Sequence, residues 1–133
     1  MREILFRGKV ADEPDEWVQG YLRDTDTIFQ QTRHKKSKCC EYGMFSVKPD
    51  TVGQYTGLTD KNGTKIFEGD ILHDDYRDHN YLVTYMTGWG MYILDKINDR
   101  DGNWYSFEDF DFDENIEVIG NIHDNPELLE GLW

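Results

Sequence analysis

Residues 51–72, TVGQYTGLTDKNGTKIFEGDIL, constrain the fold more than any other stretch of this chain. Glycines, turn residues and three apolar bursts alternate there at intervals too short for a helix, which is the punctuation of tightly folded β structure. Asn62-Gly63 predicts a two-residue type I′ hairpin turn, because that turn needs positive φ at both central positions and this pair supplies it cheaply. Glu68-Gly69-Asp70 predicts a second turn that delivers Ile71 and Leu72 into another strand.

The flanking sequence continues in the same style. A first strand is expected within residues 3–8, and residues 16–22 alternate apolar and polar at period 2 as its hairpin partner after the Glu13-Pro14-Asp15 turn. Ile28 and Phe29 open a third strand, the basic stretch with Arg33, His34, Lys35, Lys36 and Lys38 reads as an exposed loop, and residues 41–47 recover apolar character before Pro49-Asp50 closes the N-terminal portion. Beyond the central stretch, residues 81–86 and 91–94 form a hairpin about the Thr87-Gly88-Trp89-Gly90 turn. Residues 104–107 are a short strand or edge, and residues 116–122 are the last strand. Asn125-Pro126 predicts an N-cap and first helical position, hence a short terminal helix over residues 126–130. The fold class is all-β: a small antiparallel barrel in residues 49–133, preceded by an N-terminal β-hairpin subdomain in residues 1–48.

Charge is unevenly spread along this plan. Of 14 Lys and Arg and 27 Asp and Glu, residues 1–48 hold 9 and 8, leaving 5 and 19 in residues 49–133. A field of that sign repels phosphates and disfavours nucleic-acid binding by the C-terminal portion, while it attracts cations or basic partners. Mimicry of nucleic acid by this acidic portion is a weaker alternative. No apolar run reaches the 18 or so residues needed to span a bilayer, and the start lacks a signal-peptide core, so a soluble protein of the cytoplasm is expected. Cys39 and Cys40 are adjacent, where a mutual disulfide is strained, and read as reduced thiols.

Several residue groups invite a chemical reading. Asp109, Asp111 and Asp113 have the opening spacing of a calcium loop, but Glu114 and Gly120 stand where that loop needs glycine and glutamate. Phe110 and Phe112 alternating with the acids read instead as a strand or edge with an aromatic face buried. His73, Asp75, Asp78 and His79 form a second cluster that in principle holds a transition metal and serves a hydrolase or nuclease, although it lacks helical His-x-x-x-His spacing. His34, Cys39 and Cys40 lack a fourth zinc ligand. Ser37, Ser46 and Ser106 sit in no nucleophile elbow, and no phosphate loop occurs, so no catalytic residue and no cofactor is assigned.

The central motif with Ile66-Phe67-Glu68-Gly69-Asp70-Ile71, the later Glu117-Val118-Ile119-Gly120-Asn121-Ile122 with Asn125-Pro126-Glu127-Leu128-Leu129, and the opening Leu5-Phe6-Arg7-Gly8-Lys9 with Trp17-Val18-Gln19-Gly20 together resemble the YopX family of phage and prophage proteins. The resemblance implies an SH3-like barrel in a phage-encoded protein and implies no activity. Barrels of that kind present aromatic residues between loops, and Trp89, Tyr92, Trp104 and Tyr105 lie on or beside such turns. The chain has 4 Trp, 8 Tyr and 7 Phe, more than a small barrel encloses. The surplus points to a noncatalytic interaction module with a protein partner, itself included as a homo-oligomer.

Overall fold

A computed structural model of the protein describes residues 3–13, 15–30 and 43–129. The basic stretch and the His34, Cys39 and Cys40 set fall within residues 31–42, outside the described residues. The chain divides into two compact units, Met1–Tyr55 and Thr56–Trp133. The division comes later than the Pro49-Asp50 position read from the sequence and falls inside strand β5 (Gly53–Thr59). Pro49–Thr51 is one 3-10 turn, and Thr51 Oγ1 accepts a hydrogen bond from the Lys9 backbone at 2.9 Å, which ties those residues to the first unit.

In the first unit, β1 (Phe6–Lys9) and β2 (Trp17–Asp24) form the expected hairpin. β3 (Thr27–Gln30) and β4 (Met44–Ser46) extend it into an antiparallel meander, and β1 pairs on its other side with the start of β5. Alternation decides which side chains turn inward: Val10, Val18, Ile28, Phe45 and Val47 are buried as one apolar cluster. The Arg7 guanidinium stands 4.7 Å from the ring centre of Trp17, a cation–π contact.

The second unit contains β6 (Lys65–Phe67), β7 (Asp70–Asp74), β8 (His79–Met86), β9 (Met91–Lys96), β10 (Trp104–Ser106) and β11 (Ile116–Asn121). Five of these make an antiparallel sheet in the order β10-β9-β8-β7-β11. The all-β expectation holds, but the sheet is open where a closed barrel was expected. β10 is only three residues long, and the chain leaves it in helical turns. The outer edge of β11 meets a turn instead of a strand: Lys61 donates its backbone N–H to the Ile116 carbonyl at 2.9 Å, and Val118 N–H donates to Asp60 Oδ2 at 2.9 Å. Ile66, Leu72, Tyr81, Val83, Leu94, Phe112 and Ile116 form the core of this unit.

The Asp60 carboxylate also reshapes its own turn. Oδ1 accepts from Asn62 N–H and Thr64 N–H, each at 2.9 Å, while Gly63 N–H donates to the Asp60 carbonyl and Asp60 N–H to the Thr64 carbonyl. Gly63 has φ of 82°, whereas Asn62 is not among the residues with positive φ. The loop is therefore a three-residue connection, a type I turn followed by a left-handed glycine, and not the expected two-residue type I′ turn. Glu68-Gly69-Asp70 turns as expected, with buried Asp70 accepting from Phe67 N–H at 2.8 Å.

Near the end of the chain, the expected short terminal helix forms as a 3-10 helix over Pro126–Leu129. Asn125 faces β11 and accepts from Asn121 N–H at 3.2 Å. Gly120 makes that approach possible, since a Cβ there would lie 2.5 Å from Asn125 Oδ1. No helix among the described residues is long and apolar enough to cross a membrane.

Removing a buried acceptor leaves its donors without partners, at about 1–3 kcal/mol for a buried group. Asp60→Ala is expected to cost at least ~2 kcal/mol in urea unfolding, with three amides affected. Gly63→Val should cost about 1 kcal/mol or more through the backbone alone, because nothing lies within 4 Å of a Cβ built there. An Asp60→Ala variant as stable as the parent would refute the role given to this carboxylate.

Candidate functional site

The aromatic residues singled out from the sequence separate into two groups. The β8–β9 hairpin closes at residues 87–90, where Trp89 N–H donates to the Met86 carbonyl at 3.1 Å. The turn holds the Trp89 side chain out in water, 68% exposed. Trp104 starts β10 opposite Asp95 and is 38% exposed. The two indoles meet edge to face, with centroids 5.6 Å apart. Such a pair is largely apolar and carries two N–H donors, the composition that anchors protein interfaces.

Tyr92 and Tyr105 instead pack against the core. Tyr105 meets the edges of Tyr81 and Phe110, and Tyr92 stacks on Phe107 at 6.4 Å. Tyr85, which pairs with Tyr92 across the hairpin at 5.0 Å and is 44% exposed, lies on the same sheet face as Tyr92 and Tyr105, opposite Trp104. Counting outward from the turn, Met86 to Met91 and then Tyr85 to Tyr92, would have found it.

The acidic aromatic segment is helical where an extended edge was expected. Ser106 Oγ accepts from Glu108 N–H to open a 3-10 turn, and Asp111 Oδ1 accepts from Glu114 N–H to cap α1 (Phe112–Asn115). Asp111-x-x-Glu114 is the capping-box spacing, a signal present in the sequence. The aromatic half of the expectation holds: Phe107, Phe110 and Phe112 pack on the core while Asp109, Asp111 and Asp113 face water.

Of the His73, Asp75, Asp78 and His79 set, three residues converge. His73 Nε2 lies 3.5 Å from both Asp75 Oδ1 and Asp78 Oδ1, and His73 Nδ1 is 2.7 Å from Asn80 Oδ1. Asp75 is also hydrogen-bonded to Lys61, which holds the Asp75 carboxyl below its ordinary range and raises the Lys61 ammonium. His79 turns its ring edge to Tyr81, 6.5 Å away. Among the described residues, no group of three or more His, Cys, Asp or Glu is placed to hold a metal ion.

A buried network fixes the loop between these residues. Asp74 is fully buried, accepts from Tyr76 N–H, and pairs with Arg77 at 2.8 Å. The hydrogen bond to Asp74 raises the Arg77 pKa, and the same guanidinium donates to the Asp109 carbonyl and covers the Phe110 ring at 4.6 Å. Burial, then the nearby Asp74, pushes the Tyr81 hydroxyl up to about 12.

The family model described as YopX protein matches residues 6–130. The crystal structure of protein EF1440 from Enterococcus faecalis is similar, with 26% identity, a TM-score of 0.61, and coverage of 98% of this chain and 100% of that one. No curated protein matches.

Tyr81 gives a pH test of this packing. The folded state holds the phenol proton more tightly than the unfolded chain, whose phenol titrates near 10. Its contribution is therefore complete below pH 10 and is lost as pH rises from 10 through about 12. Thermal unfolding across that window should fall less steeply for Tyr81→Phe than for the parent, and equal slopes would refute the assignment.

Proposed function

The chain belongs to the YopX family, and from that membership we propose that it is a phage- or prophage-associated accessory protein that works by binding another protein, without turning over a substrate. The exposed Trp89–Trp104 pair carries this reading. Two indoles in contact and open to water are costly to leave uncovered, and soluble proteins tend to concentrate such apolar surface at interfaces.

Within this proposal the second unit is SH3-like in a loose sense: short antiparallel strands present aromatic side chains beside their turns. The site is the Trp89–Trp104 pair, and Tyr85, Tyr92 and Tyr105 lie on the other face of the sheet from Trp104. A second copy of the chain is the simplest partner, given how common symmetric homo-oligomers are, and the cytoplasm of a bacterial host is the proposed location. The His73, Asp75 and Asp78 group is less suited to catalysis, since Lys61 engages one of its carboxylates.

Sedimentation over a concentration series, with a pull-down from host lysate, tests the reading. The parent should self-associate or retain a defined partner, and a Trp89→Ala, Trp104→Ala variant should lose that association with its folding intact. A strict monomer that retrieves nothing, together with divalent-ion-dependent cleavage of nucleic acid abolished by His73→Ala, would overturn it in favour of a hydrolase.

A further inference from the structure

A second surface of the same unit shares no residue with the Trp89–Trp104 pair. An open groove of about 670 Å³ runs between residues 57–59 of β5 and residues 107–113. That volume is within the range of pockets that hold a small ligand or a few side chains.

The lining has two chemical parts. Leu58, 38% exposed, with the partly buried Phe107 and Phe110, gives an apolar floor. Glu108, Asp109, Asp111 and Asp113 stand exposed along one wall, and among the described residues no Lys, Arg or His lines the groove. Arg77 lies on Phe110, with its charge paired to the buried Asp74 carboxylate and a further bond donated to the Asp109 carbonyl.

These parts together select the occupant. An anion is repelled by four carboxylates, and a wholly apolar ligand leaves their field unanswered. We propose that the groove binds an extended cationic segment of a partner protein, in which an apolar side chain fills the floor and flanking Lys or Arg residues meet the acidic wall. The chain's own basic stretch, Arg33-His34-Lys35-Lys36-Ser37-Lys38, supplies the charge without an apolar residue for the floor, so a second copy fits less well. Charge along the wall speeds encounter, and the apolar floor separates this partner from any other polycation.

The test uses two labelled probe peptides of equal length and charge, one alternating Lys with Leu and the other Lys with Ser, followed by fluorescence anisotropy on the full chain. The Lys-Leu peptide is expected to bind about tenfold more tightly, and both peptides should weaken with salt. Glu108→Gln with Asp113→Asn should weaken both peptides and flatten the salt dependence. Leu58→Ser, confirmed as folded by its thermal transition, should remove the preference for Lys-Leu. The Trp89→Ala, Trp104→Ala variant should bind both peptides as the parent does, so failure of this proposal is separable from failure of the Trp-pair reading. Equal binding of the two peptides by the parent would overturn the proposal as attraction by charge alone. Loss of binding in the Trp variant would place the site elsewhere. Self-association abolished by the Glu108→Gln, Asp113→Asn pair would overturn it in favour of a second copy as occupant.

Discussion

One buried carboxylate joins the two ends of the second unit. Asp60 accepts hydrogen bonds from Asn62 and Thr64 within its own loop and from Val118, 58 residues later in the chain. A charge taken out of water is tolerated only where its oxygens are well partnered, and three backbone N–H groups supply those partners here. Through the same loop Lys61 reaches the Ile116 carbonyl on one side and Asp75 on the other. The loop thus covers the outer edge of β11, an edge that would otherwise offer its backbone groups to another strand.

The aromatic residues account for much of what remains. Tyr81 lies at the centre of the packing, with Tyr105 and Phe110 presenting ring edges to it and Phe112 completing the layer through Phe110. Each large ring buries substantial apolar area, and edge-to-face contacts add to that. Residues 107–115 are therefore more than a connection between β10 and β11: Phe112 is inserted into the core and Phe107 and Phe110 pack against it, while the carboxylates remain in water. Arg77 holds the outer side of Phe110. The same segment supplies both walls of chemistry in the groove, which is why the acidic rim and the apolar floor occur side by side.

Strand positions were legible in the sequence because period-2 alternation and glycine turns act locally. The hairpin at residues 87–90 and the pairing of β1 with β2 need no information from elsewhere in the chain. The errors have one physical origin, side chains that bond to backbone. Asn62-Gly63 looks like a two-residue turn until the carboxylate of Asp60 is counted as an acceptor for the loop amides. Asp109, Asp111 and Asp113 look extended until Ser106 and Asp111 are recognised as caps. Asn125 looks like a helix cap, but its side chain faces β11, where Gly120 leaves room for it. The exposure of Trp89 is readable from its turn, whereas the inward packing of Tyr92 and Tyr105 depends on Phe107 and Phe110, whose course the sequence leaves ambiguous. The sheet stays open where a closed barrel is expected, since a turn and not a strand occupies the free side of β11.

The pairing of β11 with β7 also has a consequence in time. Strands β7 to β10 follow one another as hairpins, so their contacts form between neighbours in sequence and need only short loops to close. β11 returns to the far side of β7 across all of them, and the Asp60 contact spans a longer loop still. Contacts of that separation slow the folding of a domain and come after the local hairpins. During synthesis the hairpins emerge first, with the outer edge of β7 bare and the Asp60 loop lacking its strand. The arrival of residues 116–121 is then the step that seals the unit, and until it occurs the sheet is open to pairing with the wrong chain.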